Sequence, residues 1–189
     1  MKRTKREYDL ELDPSACYKM EFVHNESRES FESTEKWLYL GANARDSEFA
    51  KVGITMGDLT TRSSSSENPG YYLFCAFKCR NNIARSQLED IEKSALNHLE
   101  RVFVYPDGST KRALHHESGH ISECFYDVDF LFFFGELHYY LYQNYCNYFM
   151  LSGFENEAGV DEGEFLDCEF NTRRMSRDEI NKHIRRILQ

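Results

Sequence analysis

Proline and glycine are scarce in this chain, at 3 and 10 of 189 residues. That excludes collagen-like and linker-dominated architectures. Apolar runs are short. The richest segment, 128–151, is broken by Asp129, Glu136, His138, Gln143, Asn144 and Asn147, so it fails as a membrane span. The six cysteines form no C-x-x-C pair and their spacing is scattered, which reads as reduced thiols and not a disulfide framework. The basic start, Met1 to Arg6, is not followed by an apolar stretch, so no secretory signal is expected. The expectation is a soluble, cytoplasmic protein with no membrane partner. Basic charge is also short: 23 Lys and Arg against 32 Asp and Glu, a net charge of −9. A protein that coats nucleic acid by bulk charge is excluded, and DNA contact would need a small local site.

Aromatic residues are abundant. Fifteen Phe and twelve Tyr belong to a chain with a real core, not a disordered one. No internal repeat is present. Residues 1–35 are charge-dense and weakly patterned and read as an N-terminal extension, with one short strand candidate at 8–13. From Trp37 the patterning is strong. Residues 37–40 and 49–55 read as two strands of an antiparallel hairpin, and 71–78 as a third strand after the polar loop 63–70. Leu88, Ile91, Ala95, Leu96, Leu99, Val102 and Phe103 recur in steps of three and four and predict a helix over 86–103. A short strand at 123–128 and an aromatic-rich helix over 131–151 follow. The order predicts a small mixed α+β domain over 36–152. Residues 153–189 read as a tail. Its first part, 155–169, holds seven acidic residues and no Lys or Arg. Its second part, 173–189, holds six basic residues against two acidic ones and predicts a C-terminal helix.

Several residues in this domain suit phosphodiester hydrolysis. Tyr39 is a phenol, and a phenol beside a cation can act as general base toward water. Lys51 lies in the second strand and shares a face with Tyr39 if the register permits. Gly53 allows close approach of a neighbouring chain or a substrate. Arg62 follows in Asp58-Leu59-Thr60-Thr61-Arg62, whose spacing suits a short helical turn, and offers a planar fork for phosphate oxygens. Glu123 is a hard oxygen ligand suited to Mg²⁺. Each also has a plain structural reading. Tyr39 would be a sheet tyrosine, Lys51 a solvated strand residue, Arg62 a surface arginine, and Glu123 an ion-pair partner of Lys111 or Arg112.

The ordered run resembles the GIY-YIG nuclease superfamily, and within it the phage and bacterial subgroup whose second motif reads K-[VI]-G-I-T. Trp37-Leu38-Tyr39 stands at the GIY position and Lys51-Val52-Gly53 at the YIG position. Arg62 matches the family arginine, and Asn68-Pro69 precedes the third strand as in the subgroup. Residues 91–98, ending in His98, resemble the family's E-x-x-L-H helix, and Glu123-Cys124-Phe125 its E-W-F segment. The resemblance implies a three-stranded antiparallel sheet flanked by helices, one carboxylate (Glu123) holding Mg²⁺ or Mn²⁺, and DNA cleavage by a metal-dependent endonuclease. It departs at Ser66, where several family members carry a His. The family's helix Asn has two candidates, Asn144 and Asn147. His98, His120 and Asn144 are candidate substrate contacts.

Two other functions compete. A non-catalytic DNA- or protein-binding module on the same fold suits the acidic charge and the missing His. A zinc protease is suggested by His116-Glu117-Ser118-Gly119-His120, a literal H-E-x-x-H with Glu136 as third ligand. That chemistry needs both His on one face of a stable helix, and Gly119 weakens a helix by about 1 kcal/mol. A polar loop leading into the Glu123 strand is the plainer reading of that segment.

Overall fold

The core is organised around the first strand. β1 (Trp37–Asn43) is buried along nearly its whole length. Alternate residues of a strand point to opposite faces. Leu38, Leu40 and Ala42 therefore enter the main core, while Trp37 and Tyr39 pack on the other face with Leu73 and Ala76. β1 pairs antiparallel with β2 (Asp46–Thr55) on one side and with β3 (Tyr71–Lys78) on the other. The computed structural model describes residues 35–57, 59, 68–115, 117–156 and 158–189. The chain divides into Met1–Glu32, outside the described residues, and Ser33–Gln189, to which everything below belongs. The strand expected at 8–13 lies outside the described residues, as does nearly all of the expected N-terminal extension.

The start of β3 is set by local chemistry. The Asn68 side chain accepts from Gly70 N at 2.9 Å, and its carbonyl accepts from Tyr71 N at 3.0 Å, which makes Asn68-Pro69-Gly70 a side-chain-locked turn. α1 (Arg85–Val102) buries Leu88, Ile91, Ala95, Leu96 and Leu99, the apolar face its spacing predicts. β4 (Arg112–Leu114) and β5 (Ile121–Phe125) form a hairpin that docks on β2. α2 (Phe130–Tyr145) begins at Asp129, whose carboxylate accepts from Phe132 N, and it buries Phe133, Phe134, Leu137, His138 and Leu141.

The sheet is larger than the three-stranded one expected. It has six strands in the order β4-β5-β2-β1-β3-β8, all antiparallel. The α+β class holds. The C-terminal residues account for part of the difference. α2 stops at Tyr145, short of the expected 151, because the end of β3 captures the chain that follows. Arg80 Nε donates to Phe149 O, Met150 N donates to Lys78 O, and Phe149 is fully buried. The acidic segment is no simple tail. β6 (Leu151–Glu155) and β7 (Asp161–Leu166) form a hairpin, and β8 (Cys168–Phe170) pairs with β3 as an edge strand. Phe165 and Leu166 are buried while most of the carboxylates between them and Glu155 stay outside.

His138 ties α2 to this hairpin. Its Nε2 accepts from Leu166 N at 3.0 Å, and burial pushes its pKa down to about 4, so the ring is a neutral acceptor. α3 (Arg177–Ile187) starts with a capping box, Ser176 and Glu179 satisfying each other's backbone N–H groups. Its amphipathic face puts Ile187 in the main core. No helix among the described residues is long and apolar enough to cross a membrane.

Ile187 is 1% exposed, so Ile187→Ala is expected to lose about 2–5 kcal/mol of stability, measured by urea unfolding. A change within about 0.5 kcal/mol would show that α3 lies outside the cooperative fold.

Candidate active site on the open face of the sheet

Residues directly opposite in an antiparallel pair present their side chains on one face. Tyr39 lies opposite Gly53, and Gly41 opposite Lys51. Tyr39, Gly53 and Lys51 therefore share the sheet face away from the main core. The Tyr39 ring lies directly over Gly53: a Cβ at position 53 would collide with its Oη and Cζ atoms. Tyr39 is buried, with 6% of its surface exposed. The role of Gly53 is thus to receive this ring. Gly41 does the same for Tyr71, whose ring occupies the space a Cβ would take. Two tyrosines therefore flank Lys51 on this face, and Tyr71 is a site neighbour that sequence reasoning did not single out. The x-G pairing with an aromatic across the hairpin was the available signal.

Lys51 lies opposite Cys124 of β5. Its ammonium is 3.7 Å from Oε2 of Glu123, and both side chains are partly open to solvent. Glu123 is brought there by the β4–β5 hairpin. Arg112 holds that hairpin to α1, with Nη1 3.1 Å from Glu100 Oε2 and Nε donating to Ser122 O. The basic partners considered for Glu123 are otherwise engaged: Arg112 with Glu100, and Lys111 with the carbonyl of Asp127. Burial raises the pKa of Cys124, so it stays a thiol and is no nucleophile.

A second carboxylate joins this group. Glu92 on α1 is pushed up to about 7, first by burial and then by the charges of Glu123 and Glu89; Arg112 and Lys51 oppose the shift. Glu92 falls in the helix segment compared with E-x-x-L-H above, yet its environment could not be read from its spacing. It became visible only once α1 and β5 were seen to converge.

The remaining candidates are placed as follows. Arg62 and Ser66 lie outside the described residues, and of the expected helical turn only Leu59 is described, packing against Trp37, Tyr39, Leu73 and Ala76. His98 belongs to the α1–α2 interface. Its ring stacks on Tyr140 at 4.2 Å, and Nε2 lies 3.6 Å from Glu136 Oε2. Asn144 donates to the carbonyl of Tyr140 on its own helix. His120 is exposed at the end of the β4–β5 turn, where its carbonyl accepts from His115 N. The described part of His116-Glu117-x-x-His120 is that turn and not a helix, with Gly119 at φ +66°. Glu136, the third ligand considered, lies against His98 instead.

The donor set bears on metal type. Among the described residues no three His, Cys, Asp or Glu side chains converge as a metal-ligating group. Mg²⁺ keeps several waters and needs only one or two carboxylates, and Glu123 is a partly exposed carboxylate of that kind. Glu92, raised first by burial and then by the charges of Glu123 and Glu89, lies within electrostatic reach of it.

The chain matches no family model, and no curated protein or solved structure matches it.

Two outcomes test this geometry. Gly53→Ala is expected to displace the Tyr39 ring and to lower stability by about 1–3 kcal/mol, read by urea unfolding and by the tyrosine ring shifts in NMR. An unshifted Tyr39 spectrum with unchanged stability would contradict the ring-on-glycine contact. The second concerns Glu92. Its pKa is raised on folding, so the folded state holds the extra proton between about pH 4.5 and pH 7. Stability contributed by this group is therefore present below the unfolded pKa and lost as pH rises toward 7. Glu92→Gln removes that loss, so its stability relative to the parent should rise from pH 5 to pH 8. A pH-independent difference would mean the Glu92 carboxyl is not perturbed.

Proposed function

We propose that this protein is a metal-dependent endonuclease of the GIY-YIG type that hydrolyses DNA phosphodiester bonds. The observation that carries the reading is the Tyr39 ring seated on Gly53, on one face with a lysine that reaches Glu123. In this reading Tyr39, ionised to its phenolate, accepts a proton from the attacking water and returns to the neutral phenol. Lys51 lies two residue pairs further along the hairpin, roughly 7 Å by strand rise, and contacts the scissile phosphate or tunes the phenol. Arg62, carried by the family resemblance, stabilises charge on the pentavalent phosphate. Glu123, with Glu92 beside it, would hold Mg²⁺ or Mn²⁺. That ion supplies charge neutralisation at the non-bridging and leaving oxygens. Lys51 is the group that releases Glu123 for this role, since the two are paired with each other. The same closed pair favours a second reading, a non-catalytic binding module on this fold.

Supercoiled plasmid incubated with Mg²⁺ distinguishes the two. Nicking by the parent protein is expected, with a loss of about 10²-fold or more in Tyr39→Phe and in Glu123→Ala. Absence of nicking on plasmid, linear duplex, branched and single-stranded DNA, with DNA binding retained, would assign the module instead.

A further inference from the structure

Between the N-terminal half of α1 and the end of α2 lies a small pocket of about 160 Å³. Gln87, Asp90, Ile91 and Ser94 of α1 line one side, and Tyr145 and Tyr148 line the other. Pockets for drug-sized ligands run to about 300–1,000 Å³, so this one holds a single functional group and not a whole molecule of that size. Ile91, a main-core residue, is the one aliphatic side chain in the lining. Asp90 is the only charged residue of the lining, and no described basic side chain pairs with it. The pocket therefore selects positive charge.

The two tyrosines are three residues apart, and the short helical turn Cys146–Tyr148 that follows α2 sets them side by side. Their ring centroids are 6.4 Å apart and their planes meet at 52°, which makes an aromatic corner. A cation seated in that corner lies within about 6 Å of both rings, the range in which an aromatic face attracts it. Both tyrosines are held in advance. Tyr145 packs edge-on against Tyr140 at 5.9 Å, and Tyr140 stacks on His98 at 4.2 Å. The carbonyl of Tyr148 accepts from Arg80 N at 2.9 Å, and the next residue, Phe149, is fully buried. On the α1 side Gln87 is fixed by its cap, with Oε1 accepting from Ala84 N at 2.9 Å. Tyr148 is 38% exposed and Asp90 is exposed, so the corner is open to solvent.

We infer that Tyr145, Tyr148 and Asp90 form a binding site for a quaternary ammonium group, as carried by a choline-type small molecule or by a trimethylated lysine side chain. Aromatic rings attract a cation without hydrogen bonds, which suits an ammonium that has no N–H to satisfy. A primary ammonium is strongly hydrated and brings three donors, and it favours a site richer in carboxylates and carbonyls than this one. The Asp90 carboxylate adds ion pairing to the attraction of the rings. The pocket shares no residue with Tyr39, Lys51 and Glu123, so the inference does not depend on the nuclease reading.

The test is an amide NMR titration of the full chain with three probes: choline, a short glycine-flanked peptide carrying one trimethyllysine, and the uncharged tert-butyl analogue of choline. The two cations are expected to give saturable shifts at Asp90, Tyr145 and Tyr148, and the uncharged analogue to bind about tenfold more weakly or not at all. Asp90→Asn and Tyr148→Leu should each weaken the cations roughly threefold to thirtyfold, while Tyr148→Phe, which keeps the ring, should bind like the parent. If Tyr148→Leu does not fold, Asp90→Asn decides. Peptide binding much tighter than choline would assign the ammonium to a protein side chain, and equal or tighter binding of choline to a small molecule. No saturable shifts with either cation, equal binding of the uncharged analogue, or parent-like affinity in Asp90→Asn would overturn the site.

Discussion

The Tyr39 ring lies across β2 because position 53 carries no side chain. The contact governs more than its own two residues. β1 is buried on both faces and pairs on both edges, so every other strand of the six-stranded sheet takes its register directly or indirectly from it. A one-residue slip would turn Tyr39 into the main core and Leu38 and Leu40 out of it, at the cost of the whole apolar pattern. With Tyr39 seated on Gly53, Lys51 must lie opposite Gly41, on the same face and two residue pairs along. The candidate site is therefore a consequence of how the central hairpin packs.

Charge around Lys51 follows from a different convergence. β5 brings Glu123 and α1 brings Glu92 toward one lysine, and Arg112 ties these two elements together through Glu100 and the Ser122 carbonyl. The pKa of Glu92 is raised first by its burial and then by the charges of Glu123 and Glu89, with Arg112 and Lys51 opposing the shift. Such a place draws a divalent cation when it is present and a proton when it is not. The acidic balance of the chain, which first argues against nucleic acid, acquires a local meaning here.

The C-terminal third closes the sheet. Phe149 fills the core beside Cys79, β8 pairs with β3, and His138 accepts from Leu166 as a neutral ring. These contacts explain why residues rich in acid are folded. A few apolar anchors, Phe165, Leu166 and Ile187, are enough to hold the segment once its backbone groups have partners on β3 and α2. They also fix the Asn171 turn against β3, and with it Arg173 and Arg174.

Periodicity alone determined the strong elements: β1 to β3, α1 with its five buried residues, and the α+β class. These were legible because their apolar spacing is local and their burial is one-sided or complete. Tyr39, Gly53, Lys51 and Glu123 were legible as residue types, but only the hairpin register and the docking of β5 made them neighbours. Glu92 and Tyr71 were hidden because their surroundings come from distant elements. β4, β6, β7 and β8 were hidden for another reason. β4 and β8 are three residues long, β6 is five, and half of β7 is acidic, so none carries a period long enough to read. The literal H-E-x-x-H shows the limit from the other side: spacing matched, but its described residues, 117–120, fold as part of the β4–β5 turn and not as a helix. Local pattern decides which segments are helix or strand; which side chains meet is decided by pairing and packing between segments far apart in the chain.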